Sequence, residues 1–190
     1  MTKTLSKKFF NRPTVTVAKK LIGKYIVRRR RGRQIALMIT EVEAYDGPYD
    51  LASHASRGRT LRTKVMFGEA GRFYIYFVYG MHWLVNIVTG PKDYPAAVLL
   101  RAGLYYDPIT KKEIAINGPA RLARFLNITK TQNGKYADKK TGVWFEDCGT
   151  KINPHHIIAK KRIGVEYAGP LWAIKPYRFT LKKQLSKPYR

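Results

Sequence analysis

Apolar residues recur along this chain at two spacings. Between Thr14 and Ile22 they fall at Val17, Ala18, Leu21 and Ile22, the stripe of a helix that enters at Pro13 and stops at Gly23. Elsewhere the spacing is two. Lys24 to Arg30 and Gln34 to Ala44 read as strands joined by a turn at Arg31-Gly32-Arg33. Arg72 to Val78 and Trp83 to Val88 read as a hairpin around the four-residue connection Tyr79-Gly80-Met81-His82. Alternation puts Phe73, Ile75 and Phe77 on one face of its first strand and Tyr74, Tyr76 and Val78 on the other. Ala96 to Ala102 is an apolar strand interrupted only by Arg101. Asn117-Gly118-Pro119 opens a second helix with the stripe Leu122, Phe125 and Leu126. Val143 to Phe145, Arg162 to Val165 and Tyr177 to Leu181 are shorter strand candidates.

The polar intervals set the organisation. Asp46 to Gly71 is a long loop punctuated by Gly47-Pro48 and Gly58, and a loop of that length in a compact domain tends to be functional. Asn127 to Lys140 is a second, lysine-rich loop. Residues 1–12 and 182–190 are basic and read as flexible ends. No repeat and no linker divides the chain, so hairpins with a few helices point to one α+β domain with a mostly antiparallel sheet.

Composition adds a partner. Lys and Arg number 37 against 12 acids, a formal charge of +25, which attracts polyanions: nucleic acid first, an anionic membrane surface second. The single cysteine, Cys148, allows no intrachain disulfide, and the adjacent His155 and His156 diverge, so no metal site is expected. No apolar run reaches the ~20 residues of a membrane span, and Met1 to Lys8 lacks a signal-peptide core. The expected location is intracellular and reducing.

Candidate chemistry gathers between residues 41 and 101. Period two places Glu41, Glu43 and Tyr45 on one face of a strand. Glu43 is either a salt-bridged glutamate on a sheet or a buried functional acid. Arg101 follows an apolar run and needs a carboxylate partner, for which Glu43 is suited; a purely structural pair fits equally well. Tyr45, Tyr74, Tyr76, Tyr79 and Trp83 crowd around His54, as core rings or as stacking faces for a planar ligand. Tyr79 at the hairpin tip is either a ring lying back on its own turn or a wedge for a base stack. Arg57, Arg59, Arg62 and Lys64 make the loop cationic, as solvated charge or as phosphate contacts. The Arg28 to Arg31 run is likewise either a solvated edge or a phosphate contact. No P-loop, GxGxxG, GxSxG or HExxH occurs, which removes support for nucleotide hydrolysis, dinucleotide cofactors and common hydrolases.

These residues stand within longer motifs. Glu41-Val42-Glu43-Ala44-Tyr45-Asp46-Gly47-Pro48, Asp50, His54, Arg62, Met66-Phe67, Gly71, Tyr74-Ile75-Tyr76-Phe77-Val78-Tyr79-Gly80-Met81, Asn86 and Val98-Leu99-Leu100-Arg101-Ala102 closely resemble the alkyladenine (3-methyladenine) DNA glycosylase family. The likeness continues at Asn117-Gly118-Pro119-Ala120-Arg121-Leu122, Arg162-Ile163-Gly164-Val165 and Lys175-Pro176-Tyr177-Arg178-Phe179, and so covers nearly the whole chain in order.

The resemblance implies a single mixed domain, a curved and mostly antiparallel sheet with flanking helices, and a protruding β-hairpin that inserts into DNA. By position it implies Tyr79 as the wedge, Tyr45 stacking on one side of a flipped base with His54 and Tyr76 on the other, and Asn86 on the pocket floor. Glu43 would be the general base that activates water. Arg101 would position that water or the carboxylate, and the carbonyl of Ile163 would help hold the water. The implied activity is excision of alkylated or deaminated purines (3-methyladenine, 7-methylguanine, hypoxanthine and etheno-adenine) by a monofunctional enzyme that leaves an abasic site. The implied partner is double-stranded DNA, met by a DNA-associated monomer without cofactor, metal or membrane. Two departures stand out: Gly103 to Pro108 replaces an acidic segment typical of the family, and Thr129 to Thr141 is peculiar to this chain.

Two other readings compete. A lesion binder without catalysis would use the same wedge and pocket, but it has no need of Glu43. An RNA-binding sheet with stacking aromatics lacks its signature motif, and a tip wedge suits duplex DNA better.

Overall fold

The computed structural model describes residues 2–182. Two long strands form its spine: β3 (Arg33–Tyr45) and β6 (Ala97–Tyr106), antiparallel along their shared edge. The outer edge of each is divided between two partners. On β3, β2 (Tyr25–Arg30) takes the first half and β10 (Arg178–Leu181) pairs with Glu41 to Glu43. On β6, β5 (His82–Val88) takes the first residues and β7 (Glu113–Asn117) the last. Beyond β5 lies β4 (Phe73–Val78), and beyond β2 lie β8 (Val143–Asp147) and the two-residue β1 (Lys3–Thr4). The strand β9 (Ile157–Lys160) pairs with β10. All pairings are antiparallel and the sheet curls, as the α+β expectation required.

The curl has a local cause. The β3–β6 register shifts between Ile39, Glu41 and Val42, and a bulge of this kind bends a strand and steepens its twist. Gly103 lies opposite Ile39. A Cβ there would come within 2.5 Å of the Leu37 side chain and 2.7 Å of the Met38 carbonyl oxygen, so only glycine lets the strands approach so closely.

The main core occupies one face of the sheet. It joins Ile26, Leu37, Ile39, Val42, Val85, Ile87, Val98 and Leu100 to Val17, Ala18 and Leu21 of α2 (Thr14–Leu21) and to Leu122 of α3 (Pro119–Phe125). The other face carries two small clusters. Ala55, Met66, Tyr74, Val88 and Ala97 form one; Ala52, Val165 and Ala168 form the other, with Tyr45 and Trp172 packed against it.

Several sequence expectations need correction. Residues 1–12 were expected to be a flexible end. Instead Lys3 and Thr4 pair with Asp147 and Glu146, a short helix α1 (Lys7–Phe10) follows, and Phe10 is buried in the core. Of the other end, residues 183–190 lie outside the described part. Arg162 to Val165 is not a strand: Gly164 has φ +72°, which breaks an extended run, and the neighbouring strand is β9. The β4–β5 connection is three residues, with Val78 paired to His82, rather than four. β7 escapes the apolar pattern because four of its five residues are exposed. The lysine-rich loop covers the free edge of β4: Phe73 N–H donates to the Lys135 carbonyl, Gly134 N–H to the Phe73 carbonyl, and Ile75 N–H to Asn133 Oδ1. An exposed edge would invite pairing with another chain.

Candidate active site

Strand alternation assembles the site. Val42 and Ala44, Val98 and Leu100, Val85 and Ile87, and Phe73 and Ile75 all turn into the main core. The residues between them therefore share the opposite face: Glu41, Glu43 and Tyr45 on β3, Leu99 and Arg101 on β6, Leu84 and Asn86 on β5, and Tyr74 and Tyr76 on β4. Phe77 departs from the pattern. It sits too near the hairpin tip to reach the core and stacks on Trp83 at 4.5 Å, 43% exposed.

Glu43 is fully buried. Its Oε1 accepts the backbone N–H of Ile163 at 2.9 Å; its Oε2 accepts the Tyr45 hydroxyl at 2.9 Å and Arg101 Nη1 at 3.2 Å. Burial raises its pKa above the ordinary carboxylate range, while Arg101, the Ile163 N–H and Tyr45 oppose the rise without cancelling it. Tyr45 stays a phenol, because burial and the Glu43 charge both hold its proton. Ile163 meets Glu43 through its N–H, and its side chain is half exposed.

Arg101 is shared. Its Nε donates to Glu41 Oε1 at 3.0 Å, and the same oxygen accepts Arg178 Nη1 at 3.2 Å. Glu41 is therefore the brace that holds the Arg101 guanidinium against Glu43, a duty that no pattern in the sequence marks.

A second ion pair lies alongside. Arg162 and Asp50 are completely buried and joined by two bonds, Nη1 to Oδ2 at 2.5 Å and Nη2 to Oδ1 at 2.8 Å. Burial opposes the charge of Arg162, yet the bond and charge of Asp50, with Tyr45 and Glu43, together outweigh this and raise its pKa. Arg162 also donates to the carbonyls of Ala44 at 2.8 Å and Trp172 at 3.3 Å, and its guanidinium lies 4.8 Å from the centre of the Tyr45 ring. One guanidinium ties the Asp50 loop, β3 and the segment before β10 together.

Above Glu43 is a cavity of about 380 Å³, lined among others by Tyr45, His54, Tyr76, Asn86, Arg101 and Tyr167. That size lies within the range of small-molecule sites, about 300–1,000 Å³. His54 and Tyr76 meet with ring centres 4.7 Å apart at 80°, so one of them offers a planar ligand its face and the other its edge. His54 Nδ1 is engaged by the Tyr74 hydroxyl at 3.0 Å. Burial, with the charges of Arg62 and Arg57, pushes the His54 pKa down to about 4, so the ring is neutral at physiological pH. The buried Asn86 lines the cavity and donates Nδ2 to the Tyr74 carbonyl.

Tyr79 stands at the mouth of this cavity, 88% exposed, with φ +52°. A left-handed backbone costs a residue other than glycine roughly 1–2 kcal/mol, and here no packing of the ring offsets it. Arg57, Arg59, Arg62 and Lys64 are all exposed on the loop beside the cavity. Arg59 makes a long pair with Asp93 at 3.9 Å and lies 5.4 Å from the Phe67 ring, and the Arg62 guanidinium lies 5.1 Å from the Tyr76 ring. Among the described residues no group of three or more His, Cys, Asp or Glu side chains is arranged to hold a metal ion.

Sequence reasoning missed Asp50, Arg162, Glu41, Arg178 and Tyr167. For Asp50 and Arg162 a signal existed within the motifs quoted above, but nothing in either segment marks the two as partners 112 residues apart.

The chain matches a protein-family model, described as methylpurine-DNA glycosylase, over residues 8–185. It is 41% identical to a protein of Methanocella arvoryzae across 92% of this chain and 90% of that one. It is also 41% identical to a protein of Anaeromyxobacter sp. (94% and 89% covered) and 42% identical to one of Ehrlichia chaffeensis (85% and 86% covered). Each of the three carries the name "Putative 3-methyladenine DNA glycosylase".

Proposed function

The chain belongs to the methylpurine-DNA glycosylase family, and from that premise we propose that it flips a damaged purine out of duplex DNA and hydrolyses its N-glycosidic bond. The observation that carries this reading is a fully buried carboxylate, held by three donors under an aromatic cavity with an exposed, strained tyrosine at its mouth.

Tyr79 enters the base stack and fills the gap left by the extruded nucleotide. Its strain and exposure support that role, since a ring with nothing to pack on in the free protein gains its contacts on DNA. The base enters the cavity and stacks on Tyr45, with His54 and Tyr76 opposite, one by its face and one by its edge. Asn86 crowds the floor. Purines alkylated at N3 or N7 are cationic, and electron-rich rings favour them over neutral bases by about 1–2 kcal/mol. Lesion pairs also cost less to open. The substrates are those of the 3-methyladenine, 7-methylguanine, hypoxanthine and etheno-adenine class.

The bond between C1′ and the base nitrogen then breaks, its electron pair leaving with the base. Ionised Glu43 stabilises the positive charge that develops on the sugar and accepts a proton from the water that adds to C1′. Each carboxylate oxygen accepts about two bonds. Oε2 already takes Tyr45 and Arg101 while Oε1 takes only Ile163 N–H, so Oε1 is the oxygen that receives the water's proton. Arg57, Arg59 and Lys64 contact phosphates, as does Arg62 from its place against Tyr76. The chain acts as a monomer and leaves an abasic site without cutting the strand.

The test is incubation with duplexes that each carry one alkylated or deaminated purine, followed by hot alkali. Strand cleavage only after alkali is expected. Binding to such duplexes without cleavage for any of these lesions would overturn the enzyme and leave a lesion binder.

A further inference from the structure

The cavity above Glu43 is the first of three that join end to end. It shares His82, Pro119 and Ala120 with a cavity of about 810 Å³ that runs between the β4–β5 hairpin and α3. That one shares Arg124 and Asn127 with a third, of about 530 Å³, walled by the arginines of the β2–β3 turn. Together they make a furrow from the site, along α3, to the far end of β3.

The furrow is lined by cations without counter-charges. Arg30, Arg31, Arg33, Arg121 and Arg124 are exposed, and among the described residues none of them has an ion pair. Arg28 differs: its Nη1 donates to the Gly142 carbonyl at 3.3 Å, and burial together with the charge of Arg30 lowers its pKa. The turn is rigid. Arg31 and Gly32 both have positive φ, +48° and +74°, as the tight two-residue hairpin requires. Like charges are thus held close together in a place where folding gains nothing from them.

The spacing suits duplex DNA. Arg33 stands ten positions before Glu43 on β3, at most about 33 Å at ~3.3 Å per residue. One turn of duplex DNA is about 34–36 Å. A duplex gripped at the lesion returns the same side of its backbone to the protein one turn later, and these arginines stand within that reach.

We propose that this furrow is a second DNA contact, in which Arg30, Arg31, Arg33, Arg121 and Arg124 hold phosphates up to one helical turn to one side of the lesion. The inference rests on the glycosylase reading and extends its footprint. The contact reads no sequence, since guanidinium on phosphate sets only register. It gives the enzyme an asymmetric hold on DNA and a grip on undamaged duplex during search.

The test compares the wild type with the triple variant Arg30→Gln/Arg31→Gln/Arg33→Gln and the double variant Arg121→Gln/Arg124→Gln. Affinity for a long lesion duplex is measured across a salt series, beside a short duplex extending about half a turn (~5 base pairs) each way. On the long duplex the slope of log K against log salt should fall by about 2–3 in the triple variant and about 1–2 in the double, at ~0.9 per phosphate. The short duplex should be indifferent to the triple variant. A hydroxyl-radical footprint should lose protection one turn from the lesion, on one side only. Circular dichroism and the midpoint of denaturant unfolding should match the wild type, which shows that the variants are folded. Unchanged slopes and footprint would overturn the contact, and so would a loss confined to an RNA of the same length. Absence of excision by the wild type would instead overturn the glycosylase reading, so the two failures are separable.

Discussion

Two acid–arginine pairs lie side by side in this molecule, and they are built to different ends. Asp50 and Arg162 are joined in parallel by two short bonds, neither is accessible, and the two terminal nitrogens of Arg162 also donate to backbone carbonyls while its Nε stays buried without a partner among the described residues. Glu43 and Arg101 meet through one bond of 3.2 Å, Arg101 divides itself between two glutamates, and its guanidinium lines an open cavity. The first pair is closed. The second holds an ionisable carboxylate, under-compensated for its burial, directly behind Tyr45, Arg101 and Ile163, its three donors, which line the cavity. Two peptide bonds join the pairs. Glu43 precedes Ala44, whose carbonyl receives Arg162, and Arg162 precedes Ile163, whose N–H donates to Glu43. The structural pair therefore fixes both the acid and one of its donors.

The sharpest way to separate the two is to remove each charge. Glu43→Gln should lower single-turnover excision by about 10²–10⁴-fold, the usual contribution of a general base, while affinity for a lesion duplex is retained. The fold should also survive, because Arg101 keeps Glu41 as a partner. Retained excision would take Glu43 out of the mechanism. Asp50→Asn has the opposite profile. It strands a fully buried guanidinium, and breaking such a pair costs roughly 3–5 kcal/mol. Denaturant unfolding should show a lower midpoint at an unchanged slope. If Asp50→Asn proved as stable as the wild type while Glu43→Gln unfolded, the assignments of the two pairs would be reversed.

Titration sharpens the same contrast. Only the ionised form of Glu43 can accept a proton, and burial raises its pKa, so excision should fall about tenfold per pH unit on an acid limb lying above the ordinary carboxylate range. Arg101 is the strongest opposing influence, so Arg101→Gln should move the limb upward as well as slow the reaction. His54, already lowered to about 4, should contribute no limb near 6.5. Stability follows with the signs worked out. Glu43 has a raised folded pKa, so what it contributes is present below the unfolded value and lost as pH rises through the folded one. His54 is lowered, so between about pH 6.5 and 4 the unfolded chain takes a proton that the folded chain refuses, and stability falls with pH across that window. A limb near 6.5 that His54→Gln abolished would contradict this assignment.

The open pair was legible in the sequence and the closed one was not, for a physical reason. Glu43, Tyr45 and Arg101 lie on two long strands, where a period of two fixes the face of each side chain once the apolar residues declare the other face. Tyr79 was legible because a tyrosine beside glycine marks a tip. The long strands and the hairpin followed from the same alternation, and α2 from its helical stripe. Asp50 and Arg162 sit in segments without period, and their pairing depends on how two loops cross, which no local pattern encodes. The same limit explains why Arg162 to Val165 read as a strand: its apolar residues suggested one, while Gly164 and the pull of Asp50 turn the backbone away. β7 was missed because it is short and largely exposed, with only Ile114 and Ile116 on its apolar face, and the edge-covering role of the lysine-rich loop rests on backbone bonds that no side-chain pattern encodes.

The smallest expected effect probes the brace that distinguishes the open pair. Glu41 holds Arg101 through Nε and Arg178 through Nη1, and it does not itself line the cavity. Glu41→Gln keeps the shape of the side chain and removes its charge. Excision should fall about three- to tenfold, the order expected for weakening one charge-assisted hydrogen bond. A merely structural role would stop there, at a lower stability or rate. Positioning predicts more. With Glu41 neutral, the Arg101 charge bears on Glu43 alone, and the negative charge that Glu41 supplied is gone. Both changes favour ionised Glu43, so the acid limb of the pH profile should move downward, the reverse of the shift in Arg101→Gln. Opposite displacements of one limb by two neighbouring variants would place both residues on the same carboxylate. A limb that stays put in Glu41→Gln would reduce Glu41 to a strut between β3, β6 and β10.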